Sequence, residues 1–233
     1  MPLTGRIALV TGASRGIGRA VACALALKGA HCVLTARSAG GLEETDDLMG
    51  RGHTLLPLDL LDGGAIDSIG PTLAQRFGRL DILIHAAAAL GTLTPVPHMM
   101  ERDWEHSFAV NAGAAWRLIR TAAPLLEAAP AGRAVFLTDS HARQPAAFWG
   151  MLGAGKAAME SLVLSWADEI SGQDRLRVNL FDPGIVATRM RAQAMPGEDA
   201  RLLAQPDAVS NAVVSLCLAE ETRHGMLISQ ASV

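Results

Sequence analysis

The stretch that decides the fold is Thr11-Gly12-Ala13-Ser14-Arg15-Gly16-Ile17-Gly18. It follows a short apolar run at Arg6–Val10, which predicts a buried strand, and it opens a helical pattern at Arg15–Lys28. The first glycine permits a tight turn, the second lets the backbone approach a pyrophosphate, and the third lets helix and strand pack closely. Backbone N–H groups and the helix dipole at such a helix start favour a bound phosphate. The spacing therefore predicts a strand–turn–helix unit that binds a dinucleotide.

Apolar runs alternate with helical patterns along the rest of the chain. Further strands are predicted at His31–Thr35, His53–Leu58, Asp81–Ala87, Ala134–Leu137, Leu176–Phe181 and Met226–Ser229. Further helices are predicted at Leu42–Met49, Ile66–Phe77, Met99–Ala122, Phe148–Ile170 and Pro206–Ala219. This alternation indicates βαβ units with right-handed crossovers. The predicted class is α/β: a single-domain Rossmann fold over residues 1–233, with a doubly wound parallel sheet of about seven strands and helices on both faces.

The composition excludes several classes of protein. Hydrophobic residues make up 50% of the chain, which is typical of a sheet buried on both faces. The net charge is −3 and there is no run rich in Lys or Arg, so neither nucleic acid nor an anionic membrane is expected as a partner.

Cys23, Cys32 and Cys217 lack metal-ligand spacing, so no metal site is predicted and a reducing compartment is expected. No apolar segment reaches the ~20 residues of a membrane span. Met1 to Gly5 is too short for a signal peptide before the first strand, so we expect a cytoplasmic protein.

The TGxxxGxG spacing resembles the short-chain dehydrogenase/reductase family, and the resemblance extends over nearly the whole chain. Asp59 matches the acidic residue that contacts the adenine ring, and Pro183 to Thr188 matches the PGxxxT stretch beside the nicotinamide. Asn111, Ser140 and Lys156 match three of the family's catalytic residues. The resemblance implies hydride transfer between a nicotinamide and a carbonyl or alcohol carbon. The cofactor-binding residues that it implies are Gly12, Ser14, Arg15, Gly16, Ile17, Gly18, Arg37, Asp59, Leu60, Ala87, Lys156, Pro183, Gly184, Ile185 and Thr188.

The family's fourth catalytic residue, a tyrosine four positions before the lysine, is missing. That position holds Leu152, and the chain contains no tyrosine at all. In the family this tyrosine gives the proton to the substrate oxygen, and the lysine lowers the tyrosine pKa and binds the nicotinamide ribose. Loss of a positioned general acid costs ~10²–10⁴ in rate. Efficient turnover by the family mechanism is therefore not expected, although Lys156 could still hold the ribose and Asn111 could be structural.

Three side chains are candidates for a replacement acid: His141, His85 and Asp139. His141 follows Ser140 directly, and neighbours that leave a strand tend to point to opposite sides. His85 lies at a predicted strand end, where an imidazole suits proton transfer. Asp139 could act only if burial raised its pKa. The alternative for each is an ordinary hydrogen-bonded or exposed side chain.

The sequence differs from the family pattern at two places that affect cofactor binding. The run Val33-Leu34-Thr35-Ala36-Arg37-Ser38 has no carboxylate where NAD-preferring proteins bind the ribose 2′-hydroxyl. Arg37, with Arg15, could instead pair with a 2′-phosphate, which favours NADP(H) over NAD(H). In addition, His85-Ala86-Ala87-Ala88 replaces the family's Asn-Asn-Ala-Gly after the fourth strand, so local cofactor contacts could differ.

The substrate side is predicted to be apolar. The segment from Arg189 to Gln205 is the expected substrate flap. Candidate pocket residues are Met99, Met100, Phe148, Trp149, Met151, Leu152, Met190 and Met195, and the alternative for each is packing in the core or at an interface. An apolar carbonyl or alcohol is the expected small-molecule substrate, and a catalytically inactive sensor, scaffold or partner subunit is the alternative function.

The resemblance also implies a homodimer or homotetramer that pairs the two long helices. Apolar residues at helical spacing on these helices are Trp116, Met159, Leu162, Val163 and Trp166.

Overall fold

A seven-stranded parallel sheet forms the centre of the protein, in the order β3-β2-β1-β4-β5-β6-β7. The computed structural model describes residues 1–230. The strands are β1 (Ile7–Thr11), β2 (His31–Ala36), β3 (Thr54–Pro57), β4 (Ile82–His85), β5 (Gly132–Leu137), β6 (Leu176–Asp182) and β7 (Leu227–Ser229). The predicted Rossmann fold is confirmed. The order reverses between β1 and β4, and in such sheets ligands bind beyond the carboxyl ends of the strands at this point.

Helices cover both faces of the sheet. They are α1 (Gly16–Leu27), α2 (Ala39–Leu48), α3 (Gly63–Asp67), α4 (Ile69–Phe77), α5 (Glu101–Phe108), α6 (Ala114–Ala128), α7 (Gly150–Glu169), α8 (Arg189–Ala194) and α9 (Pro206–Ser215). One apolar core packs α1, α2 and α9 against the sheet, and the other packs α4, α6 and α7 against the opposite face. Alternate residues of β1 enter different cores, with Ala8 and Val10 in the first and Ile7 and Leu9 in the second.

Two predicted helices differ from the structure. The long helix predicted at Met99–Ala122 begins at Glu101 and continues past Pro124 to Ala128, and residues Ala109–Gly113 between α5 and α6 form a π-helical turn. The helix predicted at Ile66–Phe77 divides into α3 and α4, which meet at Ser68. The other boundaries differ by a few residues, as is usual for helix and strand ends.

Within residues 1–230, none of the helices combines the length and apolarity needed to cross a bilayer.

Candidate active site

A cleft of about 1360 Å³ lies over the carboxyl ends of the strands, where the strand order reverses. It is lined by every residue predicted to bind cofactor and by Ser140 and Leu152. Asn111 is the one predicted site residue that does not line it. The fold therefore brings the matched positions of β1, β2, β3, β5, α7 and the segment after β6 into one space.

Two positions of the loop after β1 require glycine, because backbone atoms of other residues lie too close for a Cβ atom. Gly12 has a φ of 69°, and a Cβ there would lie 2.9 Å from the Ala87 backbone. A Cβ on Gly18 would lie 2.3 Å from the carbonyl oxygen of Gly12, so only glycine lets α1 start this close to the turn. There is free space beside Gly16, since the atom nearest to a Cβ built there would be Thr188 Cγ2 at 3.6 Å.

The start of α1 has the properties of an anion site. Arg15 is its N-terminal capping residue, and no side chain caps the first turn, so its backbone amides lack a side-chain acceptor. Beside it, the hydroxyl of Thr35 lines the cleft, is buried, and has no hydrogen-bond partner among the described residues. Free amides and an unpartnered hydroxyl fit a dinucleotide in this cleft.

Two guanidinium groups lie at the β2 side of the cleft. Arg37 and Arg15 are both exposed, and neither is in an ion pair within residues 1–230. Asp59 also lines this end, and its carboxylate accepts a hydrogen bond from the Leu61 amide at 3.0 Å. The end of β2 thus presents positive charge, which suits a phosphate better than a free ribose hydroxyl.

Asn111 anchors a loop. It lies in the π-helical turn, is fully buried, and donates from Nδ2 to the carbonyl oxygen of Ala89 at 2.7 Å. Its Oδ1 accepts from the Ala89 amide at 3.0 Å, and Nδ2 also donates to Ser107 Oγ at 3.1 Å. The two bonds to Ala89 hold the segment after β4 against the helix, and the bond to Ser107 joins successive turns of the helix itself. They support the structural role that the sequence left open.

Lys156 lies on α7, one helical turn after Leu152. Its Nζ donates to the carbonyl oxygen of Leu137 at 2.7 Å. Burial lowers the pKa of the amine to about 8, and the carboxylates of Asp139 and Glu160 partly oppose this effect. Leu152 is itself only 2% exposed and supplies an apolar wall where a phenol would stand. The ammonium group therefore has a backbone acceptor and no tyrosine partner.

Ser140 and His141 both line the cleft, although residues that leave a strand are expected to point to opposite sides. Strand alternation does not apply, because β5 ends at Leu137 and residues Ser140–Ala142 form a 3₁₀ turn. His141 Nδ1 lies 2.5 Å from Asp139 Oδ1. Its ring stacks on Trp149 with centroids 3.9 Å apart and an interplanar angle of 7°. Asp139, His141 and Trp149 thus form one ordered group at the start of α7.

His85 is not a replacement acid. It is fully buried between β1 and the core, its Nδ1 lies 2.9 Å from Thr11 Oγ1, and it does not line the cleft. Burial lowers the pKa of His85 to about 3, and the charge of Lys156 adds to the effect. The imidazole is therefore neutral at ordinary pH, and its Nε2 has no partner among the described residues.

An ion network beside the cleft was missed from the sequence. Its two carboxylates are buried, whereas the side chain of Arg143 is 32% exposed. Arg143 pairs with Glu160 of α7 and, at 2.5 Å, with Asp182 Oδ2 at the end of β6. Thr138 also donates to Glu160, and Asp182 Oδ1 accepts from the Gly184 amide at 3.0 Å. The network joins α7 to the segments that carry Ser140 and Pro183. One sequence signal could have indicated this network: Glu160 is a carboxylate one helical turn after Lys156, on an apolar helix face.

The predicted substrate residues divide into two groups. Trp149, Leu152, Met190 and Met195 line the cleft, the last two on and just after α8. The remaining four candidates do not line it, which fits the alternative that such residues pack in the core or at a surface: Met99 packs near Gly150, Met151 packs near Gly91, and Met100 and Phe148 are exposed outside the cleft. For Met151 the helical turn of α7 explains the difference, because Met151 and Leu152 face different directions.

Comparison with known proteins gives consistent matches. The family model for short chain dehydrogenases matches residues 6–199. The uncharacterized oxidoreductase YciK of Escherichia coli K12 is 37% identical over 210 residues, which cover 88% of this chain and 82% of YciK. A short chain dehydrogenase from Shigella flexneri 2a str. 301, solved with NADP, superposes with a TM-score of 0.92 at 34% identity over 98% of both chains. One from Escherichia coli CFT073, solved with NADPH, has the same TM-score and identity over 98% of this chain and 97% of that chain. The chain therefore belongs to the short-chain dehydrogenase family of oxidoreductases.

Proposed function

We propose that this protein binds NADP(H) and transfers a hydride between the nicotinamide and a carbonyl or alcohol carbon, with an atypical route for the proton. The observation that carries the proposal is the cleft, which joins the open glycine loop, Arg37, Ser140 and Lys156 in one space. The solved relatives with bound NADP or NADPH support the choice of cofactor. When bound, NADPH supplies the hydride.

The residues of the cleft have distinct proposed roles. The amides at the start of α1 bind the pyrophosphate, and Arg37 and Arg15 bind the 2′-phosphate. Lys156 Nζ binds the nicotinamide ribose, and Ser140 Oγ polarises the substrate oxygen. Asn111 is a positioning residue, since it holds the segment after β4 that lines the cleft.

The part of the cleft around Ser140, where we place the substrate, favours an apolar molecule. Leu152, Trp149, Met190 and Met195 supply apolar surface next to Ser140. An apolar aldehyde or ketone therefore fits this wall better than a polyol. The test is a panel of aldehydes, ketones and alcohols assayed by the absorbance of NADPH. Turnover that depends on NADPH and is abolished by Lys156→Ala supports the proposal, and turnover with NADH alone contradicts the choice of cofactor.

A second candidate function is an inactive nucleotide-binding member of the family that acts as a sensor or partner subunit. Leu152 favours it, because the phenol of the family mechanism is absent. The two candidates differ in one result: NADPH binds in both, and the panel turns over only in the first.

We also propose a homo-oligomer formed through α5, α6 and α7. Trp104 and Phe108 stack on the surface of α5, and Trp116 and Leu162 are also exposed. Met159, Val163 and Trp166, which the sequence suggested for this surface, are buried in the core instead. Trp104→Glu should shift the mass measured by light scattering to that of the monomer, and an unchanged mass contradicts the proposal.

A further inference from the structure

Asp139 and His141 form an ordered acid–imidazole pair on the wall of the cleft. Their contact of 2.5 Å joins Oδ1 to Nδ1, and the same carboxylate oxygen accepts from the His141 amide at 2.9 Å. Both residues line the cleft next to Ser140. Nε2 of His141 makes no hydrogen bond to any residue between 1 and 230, so it is free to meet a ligand.

The packing around the imidazole fixes its plane. Trp149, the residue that precedes α7, stacks on one face of the ring at 3.9 Å. The backbone of His141 lies against Gly153, where a Cβ would approach its carbonyl oxygen to 2.8 Å. Gly153 follows Leu152 directly. The imidazole is therefore held beside the turn of α7 that presents the leucine to the cleft.

Charged groups from other elements surround this pair. From α7, Lys156 has a pKa lowered to about 8 by burial, and Asp139 is the largest of the charges that oppose the shift. From α8, Arg191 has a pKa raised first by its bond to Glu198 and further by the charge of Asp139. Arg143, in the same segment, is held by Glu160 and Asp182. Asp139 thus lines the cleft, and its negative charge acts on both Lys156 and Arg191.

We propose that His141, held by Asp139, delivers the proton that the family takes from its tyrosine. This inference rests on the proposed reductase function. In the imidazolium form both ring nitrogens carry a proton, and Asp139 accepts the one on Nδ1. As the hydride adds to the carbonyl carbon, the Nε2–H bond breaks and an O–H bond forms on the substrate oxygen. The imidazole is left neutral with its proton on Nδ1, and water from the open cleft restores the other proton.

The test uses variants that keep the fold but cannot give a proton. His141→Phe retains a ring to stack on Trp149, and His141→Gln retains a polar side chain. Both should lower kcat for carbonyl reduction by ~10²–10⁴ while leaving the Kd for NADPH unchanged. His98→Gln, in an exposed turn outside the cleft, is the matched control and should behave as the wild type.

A second variant tests the role of Asp139, whose carboxylate holds Nδ1 of His141. Asp139→Asn keeps the size of the side chain but removes the charge that stabilises the imidazolium, so it should also lower kcat and leave the Kd for NADPH unchanged. A rate equal to that of the wild type in Asp139→Asn would overturn the role of the pair.

The two proposals fail in different ways. If the wild type turns over and both His141 variants turn over equally well, the inference is wrong and the reductase function stands. If the wild type turns over no carbonyl, the proposed function is wrong and the inference falls with it.

Discussion

The Nζ atom of Lys156 donates a 2.7 Å hydrogen bond to the carbonyl oxygen of Leu137. This bond turns the buried ammonium group toward the end of β5, in the wall of the cleft. Its partner in the family mechanism, the phenol one helical turn earlier, is replaced by Leu152. The ammonium group is therefore oriented by the strand rather than by a neighbouring acid, and the position of the missing proton donor is well defined.

Leu152→Tyr should return a phenol to this position. Because Leu152 lines the cleft and Lys156 follows one turn later, the hydroxyl should reach the same space as Ser140. In the His141→Gln background, where the proposed donor is absent, we expect carbonyl reduction to rise by ~10² or more, measured as kcat/KM with NADPH. Leu152→Phe is the control, since it adds the ring without the proton. Equal rates in the two variants would show that the ring and not the phenol is responsible.

Arg37→Ala should weaken the binding of NADPH and leave that of NADH nearly unchanged. A charge-assisted hydrogen bond contributes ~1.5–3 kcal/mol, so the Kd for NADPH should rise by roughly 10- to 150-fold. Fluorescence titration of both cofactors measures the difference. Arg102→Ala is the control, because this side chain on α5 is exposed and remote from the cleft. A parallel loss for NADH would contradict a role at the 2′-phosphate.

Lys156 should make stability depend on alkaline pH. Burial lowers the pKa of its amine from 10.5, the value of a solvated lysine, to about 8, so the unfolded chain binds more protons between these values. The contribution of Lys156 to the free energy of unfolding should therefore rise with pH from about 8 to about 10.5, by up to ~1.4 kcal/mol per unit. Urea titrations of wild type and Lys156→Met at both ends of this range measure it, because the buried thiols of Cys32 and Cys217 act equally in both proteins. The difference in free energy between wild type and Lys156→Met should change over this range, whereas that between wild type and Lys28→Met, at a partly exposed lysine, should stay constant.

His85→Asn should improve stability in acid. The pKa of the buried imidazole is lowered from 6.5 to about 3, so protonation favours the unfolded chain as pH falls below about 6.5. The wild type should lose up to ~1.4 kcal/mol per pH unit in this range. Asparagine cannot titrate there and can still bond to Thr11. Melting curves at pH values across this range test the prediction, with His98→Asn as an exposed control; parallel curves for wild type and His85→Asn would refute it.

Arg143→Met should destabilise the fold by ~1–3 kcal/mol, because the buried carboxylates of Glu160 and Asp182 would lose their partly exposed counter-ion. In the double variant with Glu160→Gln the loss should be smaller than the sum of the single losses. Urea unfolding measures all three. Arg201→Met removes an ion pair from an exposed side chain and should cost less than ~1 kcal/mol. Additive losses would mean that Arg143 and Glu160 are not coupled.

Most of the fold could be predicted because its signals are local. The strand–turn–helix at Gly12 to Gly18 and the alternation of apolar runs need only neighbouring residues to be recognised. The division of α3 from α4 at Ser68 and the π-helical turn at Asn111 were not predicted. The turn at Asn111 is accompanied by hydrogen bonds to Ala89, whose position depends on the folded chain.

The sequence alone determined the glycine loop, the order of the strands along the chain, and the absence of any tyrosine to give a proton. Each of these follows from residue type and spacing. Only the tertiary structure decided the surroundings of the histidines. His85 is buried against Thr11 with its pKa lowered, whereas His141 meets Asp139 and Trp149 in the open cleft. The physical reason is that an imidazole's chemistry depends on burial and on the partner of each ring nitrogen, and both arise when segments distant in sequence pack together.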